Sequence, residues 1–89
     1  MKQAHVFISG NVQGVGYRYF VRTNAQKLGF TGWVRNTEDG GVEAVLQDKE
    51  ELIQELIHLC KEGPFMAEVK HIGFEWEDGE EEFPDFSIR

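Results

Sequence analysis

Eighty-nine residues bound this chain to one domain, residues 1–89, with a small hydrophobic core. A hydrophobic share of 40% with 12% aromatics excludes a disordered chain, and a net charge of −7 argues against nucleic acid as a partner. Cys60 is the one cysteine, which excludes an internal disulfide and points to a reducing compartment. Met1-Lys2-Gln3-Ala4-His5 lacks the apolar core of a signal peptide, and no apolar run approaches a membrane span. A soluble, cytoplasmic protein with no membrane partner is expected, with a monomer as the default.

The first strand is predicted over residues 4–9, with Val6 and Ile8 facing one way and His5 and Phe7 the other. A glycine-containing stretch, Gly10-Asn11-Val12-Gln13-Gly14-Val15-Gly16-Tyr17-Arg18, leads into a helix that runs from Tyr17 or Arg18 to about Leu28. Tyr17, Val21, Ala25 and Leu28 make its apolar stripe, and Gly29 sits where a helix end accepts a left-handed residue. A second strand covers Phe30 to Asn36, with Thr31, Trp33 and Arg35 on the face opposite Phe30, Gly32 and Val34. Thr37 to Gly41 form a turn around an Asp-Gly pair, and Val42 to Gln47 complete a hairpin with Val42, Ala44 and Leu46 as its apolar face.

The second helix follows, with Asp48 placed as its N-cap and Glu51 completing a capping box. Leu52, Ile53, Leu56, Ile57, Leu59 and Cys60 form its apolar face, and Gly63-Pro64 stops it. A fourth strand starts near Met66 or Ala67 and reaches Trp76. Its apolar phase changes between Val69 and Ile72, which predicts a bulge near Lys70-His71. Residues 77–82 read as a solvated acidic turn, and Phe86-Ser87-Ile88 as a short terminal strand. The order βαββαβ plus a terminal strand predicts an α+β, ferredoxin-like split β-α-β sandwich, a mainly antiparallel sheet with two helices on one face.

The chemistry concentrates in the glycine stretch. Three glycines in seven residues permit turns that a Cβ blocks, and the following helix points its free N–H groups and positive dipole end at the loop. That is a seat for phosphate or carboxylate, to which Arg18 can add a bidentate clamp. The spacing is neither a Walker A loop nor a dinucleotide fingerprint. Residues 1–37 carry +5 and residues 38–89 carry −12, so the one cationic region holds this loop. A local positive field in an acidic chain suits a small anion better than a polyanion.

Several stretches then converge: Gly10-x-Val12-Gln13-Gly14-Val15-x-Tyr17-Arg18; Gly32-Trp33-Val34-x-Asn36 followed by Asp39-Gly40-x-Val42-Glu43; Gln47; Gly63-Pro64-x-x-Ala67-x-Val69; and Phe86-x-Ile88. Together they resemble the acylphosphatase family over essentially the whole chain. Asp48 departs from the pattern, where the family usually has Gly. The resemblance implies hydrolysis of the carboxyl-phosphate bond of small acyl phosphates to carboxylate and inorganic phosphate, with no metal or organic cofactor. It implies that Arg18 binds the substrate phosphate, that Asn36 orients the attacking water, and that the amides of Gln13, Gly14, Val15, Gly16, Tyr17 and Arg18 cradle the phosphoryl oxygens.

That chemistry needs little else. The leaving carboxylate derives from an acid with a pKa of about 4, so a general acid is dispensable. Phosphoryl transfer is catalysed mostly by positioning and charge stabilisation. His5, His58 and His71 are scattered, which favours surface or sheet-face roles over metal ligation, and Cys60 reads as a core residue. Two other readings stay open at this level: an anion-binding module without turnover, and a single-stranded RNA binder on the open sheet face, for which Phe7 is the only encouragement.

Overall fold

A computed structural model describes residues 2–89; Met1, the first residue of the expected domain, lies outside the described residues. The elements are β1 (Lys2–Asn11), α1 (Tyr17–Lys27), β2 (Thr31–Asn36), β3 (Val42–Asp48), α2 (Glu50–Glu62), β4 (Glu68–Glu77) and β5 (Phe86–Ile88). The sheet runs β4-β1-β3-β2-β5; all neighbours are antiparallel except β2 and β5, which are parallel. Both helices pack on one face of this mixed sheet, α1 over β2 and β5, and α2 over β4, β1 and β3. The expected ferredoxin-like sandwich is what the chain forms.

The alternation read from the sequence builds the core. Ala4, Val6 and Ile8 of β1 lie opposite Leu46, Ala44 and Val42 of β3, and all six are buried. Tyr17, Val21 and Ala25 of α1 and Ile53, Leu56, Ile57 and Cys60 of α2 cover them, at the predicted helical spacing. Gly29, at φ +81°, ends the first helix as expected. The predicted bulge is also present: Ser9 pairs with His71 and Gly10 with Val69, so Lys70 is the extra residue on β4.

Three local expectations are corrected. β1 extends through Asn11, so Gly10 belongs to the strand and not to the loop. It sits opposite the bulge at φ +129°, where a Cβ would meet the Glu68 carbonyl and come within 2.7 Å of the Lys70 nitrogen. Glycine is required there by strand contact, whereas Gly14 and Gly16, at φ +74° and +78°, face open space. The second correction concerns Asp48, which ends β3 opposite Lys2 and is not a helix cap. Lys49 takes the N-cap position without a side-chain hydrogen bond, and Asp48 Oδ1 accepts instead from the Lys49 N–H at 2.7 Å. Ladder pairing holds Asp48 extended and delays the helix by one residue. The third is Glu77: it is the last residue of β4, half-buried and hydrogen-bonded, and not part of a solvated turn.

The face of β3 away from the helices is buried as well, which its polar composition did not announce. Glu43 accepts from Arg35 Nε at 2.8 Å and lies 2.5 Å from His5 Nε2, while His5 Nδ1 lies 3.1 Å from Glu77. Gln47 donates to Gln3 and to the Glu81 carbonyl, and its oxygen accepts from Thr31, so the segment after β4 folds back onto the sheet. His5 stacks on Phe7 at 4.5 Å and meets the edge of Trp33. The arrangement is a four-residue polar chain, Arg35–Glu43–His5–Glu77, crossing strands β2, β3, β1 and β4.

Burial alone would raise the Glu43 carboxyl, but the hydrogen bonds and charges of Arg35 and His5 outweigh it and hold it below the usual carboxylate range. Glu77 is lowered by the Gln3 hydrogen bond, against a smaller burial effect, with His5 adding to the lowering. Both groups bind protons less readily in the folded chain than in the unfolded one. Their contribution to stability is therefore full above the ordinary carboxylate range, about pH 4, and is lost as pH falls through it. Thermal unfolding followed from pH 6 to pH 3 is expected to show a shallower loss of Tm for Glu43→Gln than for the unaltered protein. Equal slopes would show that this chain does not couple to protons.

Candidate active site

The loop proper is Val12 to Gly16, between the end of β1 and the start of α1. Val12 is buried and anchors its first residue in the core. Gly16, left-handed at φ +78°, ψ +15°, is the N-cap of α1, and no side chain caps the helix. No acidic residue occupies its first turn. The N–H groups of that turn have no intrahelical acceptor, so the helix start presents free donors at its positive dipole end. A hollow of about 210 Å³ lies there, lined by Val12, Gly14, Gly16, Tyr17, Arg18 and Tyr19. A larger concavity, lined by Lys2, Trp76 and Gly79 among others, is at the start of β1. Nine residues of extended strand, roughly 30 Å, separate the two.

Of the four arginines, three are engaged. Arg35 is paired with Glu43 at 2.6 Å and lies over Trp33; Arg22 lies over Tyr19; Arg89 lies over Trp33 and Phe83. Arg18, in the hollow, has neither a carboxylate nor an aromatic partner among the described residues. Its charge is available to a ligand.

Gln13 does something the sequence did not suggest. Its side-chain amide donates to the Thr37 carbonyl at 2.8 Å and the Gly41 carbonyl at 2.9 Å. The loop is thereby tied to the β2–β3 turn, which is itself closed by Thr37 N–H to Gly41 O at 3.0 Å and by Gly41 N–H to Thr37 Oγ1 at 3.0 Å. Asp39 Oδ1 accepts from the Thr37 hydroxyl and the Gly41 N–H, and these bonds hold its carboxyl below the usual range. Asp39 thus belongs to the turn, as expected, and pairs with no other carboxylate.

Asn36 is the last residue of β2, immediately before that turn, and pairs with Val42. By alternation it shares the helix-side face with Gly32 and Val34. It does not line the 210 Å³ hollow itself; the Gln13 tether holds the loop to the turn that follows Asn36. Its Oδ1 is buried and accepts no hydrogen bond among the described residues.

The Acylphosphatase family model matches residues 4–88. The chain belongs to the acylphosphatase family. It is 45% identical over 86 residues to an acylphosphatase of Pelotomaculum thermopropionicum, covering 97% of this chain and 94% of that one. It is 46% identical over 88 residues to an acylphosphatase of a Roseiflexus species, covering 99% and 95%. The crystal structure of acylphosphatase from Bacillus subtilis matches with a TM-score of 0.96 at 36% identity, over 100% of this chain and 99% of that chain. Membership makes the chain a hydrolase of acyl phosphates, with phosphate as a product.

Other reactive groups in this acylphosphatase fold are committed to structure. Tyr17 is buried and donates its hydroxyl to the Cys60 carbonyl at 2.8 Å, and burial pushes its ionisation far up. Only its backbone can face the loop. Burial pushes the Cys60 thiol up to about 12, which keeps it protonated and leaves it a core residue. His58 and His71 are exposed, and no group of three His, Cys, Asp or Glu side chains among the described residues is placed to hold a metal. No helix among them is long and apolar enough to cross a membrane.

The tether makes a prediction of its own. Gln13→Ala removes two neutral hydrogen bonds and is expected to destabilise the fold by about 1–2 kcal/mol. Gln13→Glu removes the donors and sets a carboxylate against two carbonyls, so it should cost more. Urea unfolding of both variants checks the order; a Gln13→Glu variant as stable as the unaltered protein would show that the tether carries no strength.

Proposed function

We propose that the Gln13-to-Arg18 amides and the Arg18 guanidinium bind the phosphoryl group of a small acyl phosphate, and that Asn36 orients the water that attacks it. The observation that carries this reading is the unspent Asn36 Oδ1, a buried acceptor without a donor at the corner to which Gln13 ties the loop. A water O–H is the donor it lacks. Rotation about the soft terminal torsion of the amide brings the carbonyl to such a water. Once that O–H is engaged, the water's lone pair is free to point at phosphorus.

The charge side of the reaction falls to the loop. Negative charge on the equatorial oxygens is met by preorganised N–H dipoles and by an arginine with no competing partner. The bond from phosphorus to the carboxyl oxygen breaks, and the carboxylate leaves without protonation because its acid is strong enough. Asn36, being neutral, supplies orientation and not basicity. On this reading residues 1–89 act as one domain and as a monomer, in the cytoplasm, on a small anion; the acidic remainder of the chain offers nucleic acid no surface.

The test is hydrolysis of benzoyl phosphate, followed by loss of ultraviolet absorbance in chelator-containing buffer. Arg18→Ala is expected to lower kcat/KM by at least ~10²-fold, the scale of removing one transition-state charge stabiliser. A folded Arg18→Ala variant with undiminished kcat/KM would remove Arg18 from the mechanism. Asn36→Ala should lower kcat while inhibition by inorganic phosphate stays nearly constant. Collapse of phosphate inhibition instead would make Asn36 a phosphate ligand and not a water orienter.

A further inference from the structure

The side chain of Gln13 does more than fasten the fold. Gly14 and Gly16, at φ +74° and +78°, turn the loop in open space, where no neighbour restrains them. Val12 and Tyr17 are buried at the two ends of this stretch, and Val15 packs partly against the core. Apolar burial of that kind is non-directional, whereas a hydrogen bond fixes both distance and angle. Among the described residues, the Gln13 amide makes the only side-chain hydrogen bonds from the Val12–Gly16 loop to another element.

Its two acceptors flank Asn36 and the ladder partner of Asn36. The Thr37 carbonyl belongs to the residue after Asn36; the Gly41 carbonyl belongs to the residue before Val42, which pairs with Asn36. One amide group thus spans both strands at the last pair of the β2–β3 ladder. The receiving side is braced. Thr37 N–H donates to the Gly41 carbonyl at 3.0 Å, and Asp39 accepts from both the Thr37 hydroxyl and the Gly41 N–H. Gly41 is pressed so closely on β1 that a Cβ there would come within 2.6 Å of the Ile8 carbonyl. The amide has two hydrogens and two carbonyls to receive them, which leaves it no donor for a phosphoryl oxygen.

We propose that the Gln13 side chain is a positioning residue for acyl-phosphate hydrolysis: it sets where the phosphoryl seat stands relative to the water held by Asn36. It contributes to kcat without touching the substrate, a role separate from that of the Gln13 backbone amide. The inference rests on the phosphate-loop reading above and deepens it. In-line attack needs water and phosphorus aligned, and the groups that hold them come from different elements, the β1–α1 loop and the end of β2. A side chain joining the two fixes a distance that neither element sets by itself.

The experiment compares the unaltered chain with Gln13→Met, which keeps the side-chain length and removes both donors. With benzoyl phosphate, at a temperature where circular dichroism shows both proteins folded, kcat is expected to fall about 10- to 10²-fold, the scale of misplaced reacting groups. Inhibition by inorganic phosphate, which reads the seat without the water, should stay nearly constant. A tether that is structural only would lower Tm and leave the kcat of the folded variant intact, and that result overturns the proposal. The cycle with Asn36→Ala gives the second readout. In the Asn36→Ala background Gln13→Met should cost little further, because the water it serves is no longer held. Fully multiplicative losses overturn the proposal. Collapse of phosphate inhibition in Gln13→Met also overturns it, by making the side chain part of the seat. Gln13→Ala, read in the same way, serves if the methionine variant does not fold. Absence of turnover by the unaltered protein, or undiminished turnover by folded Arg18→Ala, overturns the loop reading and this inference with it.

Discussion

The register between β1 and β3 is the constraint on which the rest depends. Seven consecutive pairs, from Lys2 opposite Asp48 to Ile8 opposite Val42, bury one face of both strands under the helices. A slip of one residue would turn Ala4, Val6 and Ile8 to the open side and bring His5 and Phe7 under the helices. The same register sets where the loop after β1 meets the β2–β3 turn. Because Ile8 meets Val42, the chain leaving β1 emerges beside the turn that joins β2 to β3, within reach of the Gln13 side chain. Loop and turn are brought together by strand pairing first, and the tether secures the result.

The two faces of the sheet divide the work. Under the helices the core is apolar and reactive groups are silenced: the Tyr17 hydroxyl and the Cys60 thiol are both driven up by burial. On the other face the polar chain Arg35–Glu43–His5–Glu77 crosses four strands and uses up one arginine and two carboxylates. At the end of the sheet the opposite holds. Arg18 and the Asn36 carbonyl are left without protein partners among the described residues, and the helix start has no cap. Buried side-chain polar atoms among the described residues are thus paired on the open sheet face and left unpaired at Asn36.

The glycines show how one motif serves two ends. Gly10, Gly14 and Gly16 look alike in the sequence, as three turns of one loop. In the fold Gly10 is a strand residue pressed against the backbone of β4 at the bulge, while Gly14 and Gly16 turn the chain in open space. The bulge and the loop are thus coupled through Gly10: the extra residue Lys70 lets the last pairs of β1 and β4 continue to Asn11, which sets where the loop begins.

Local periodicity and motif spacing determined much of this protein by themselves. Alternation along β1 and β2, the stripe Tyr17-Val21-Ala25, the stops at Gly29 and Gly63-Pro64, and the phase change at Lys70 are encoded within a few residues, and each appears in the fold. The acylphosphatase pattern, with Arg18 beside a glycine loop and Asn36 after Gly-Trp-Val, was equally legible. Tertiary structure decided the rest. Asp48 became a strand end because Lys2 pairs with it, 46 positions away in the chain. Glu77 left the acidic turn to meet His5, and the Gln13 amide found carbonyls 24 and 28 residues downstream. The physical reason is the same in each case. Helix and strand preferences are settled among near neighbours, whereas a side-chain hydrogen bond depends on which distant strand the sheet has already placed beside it.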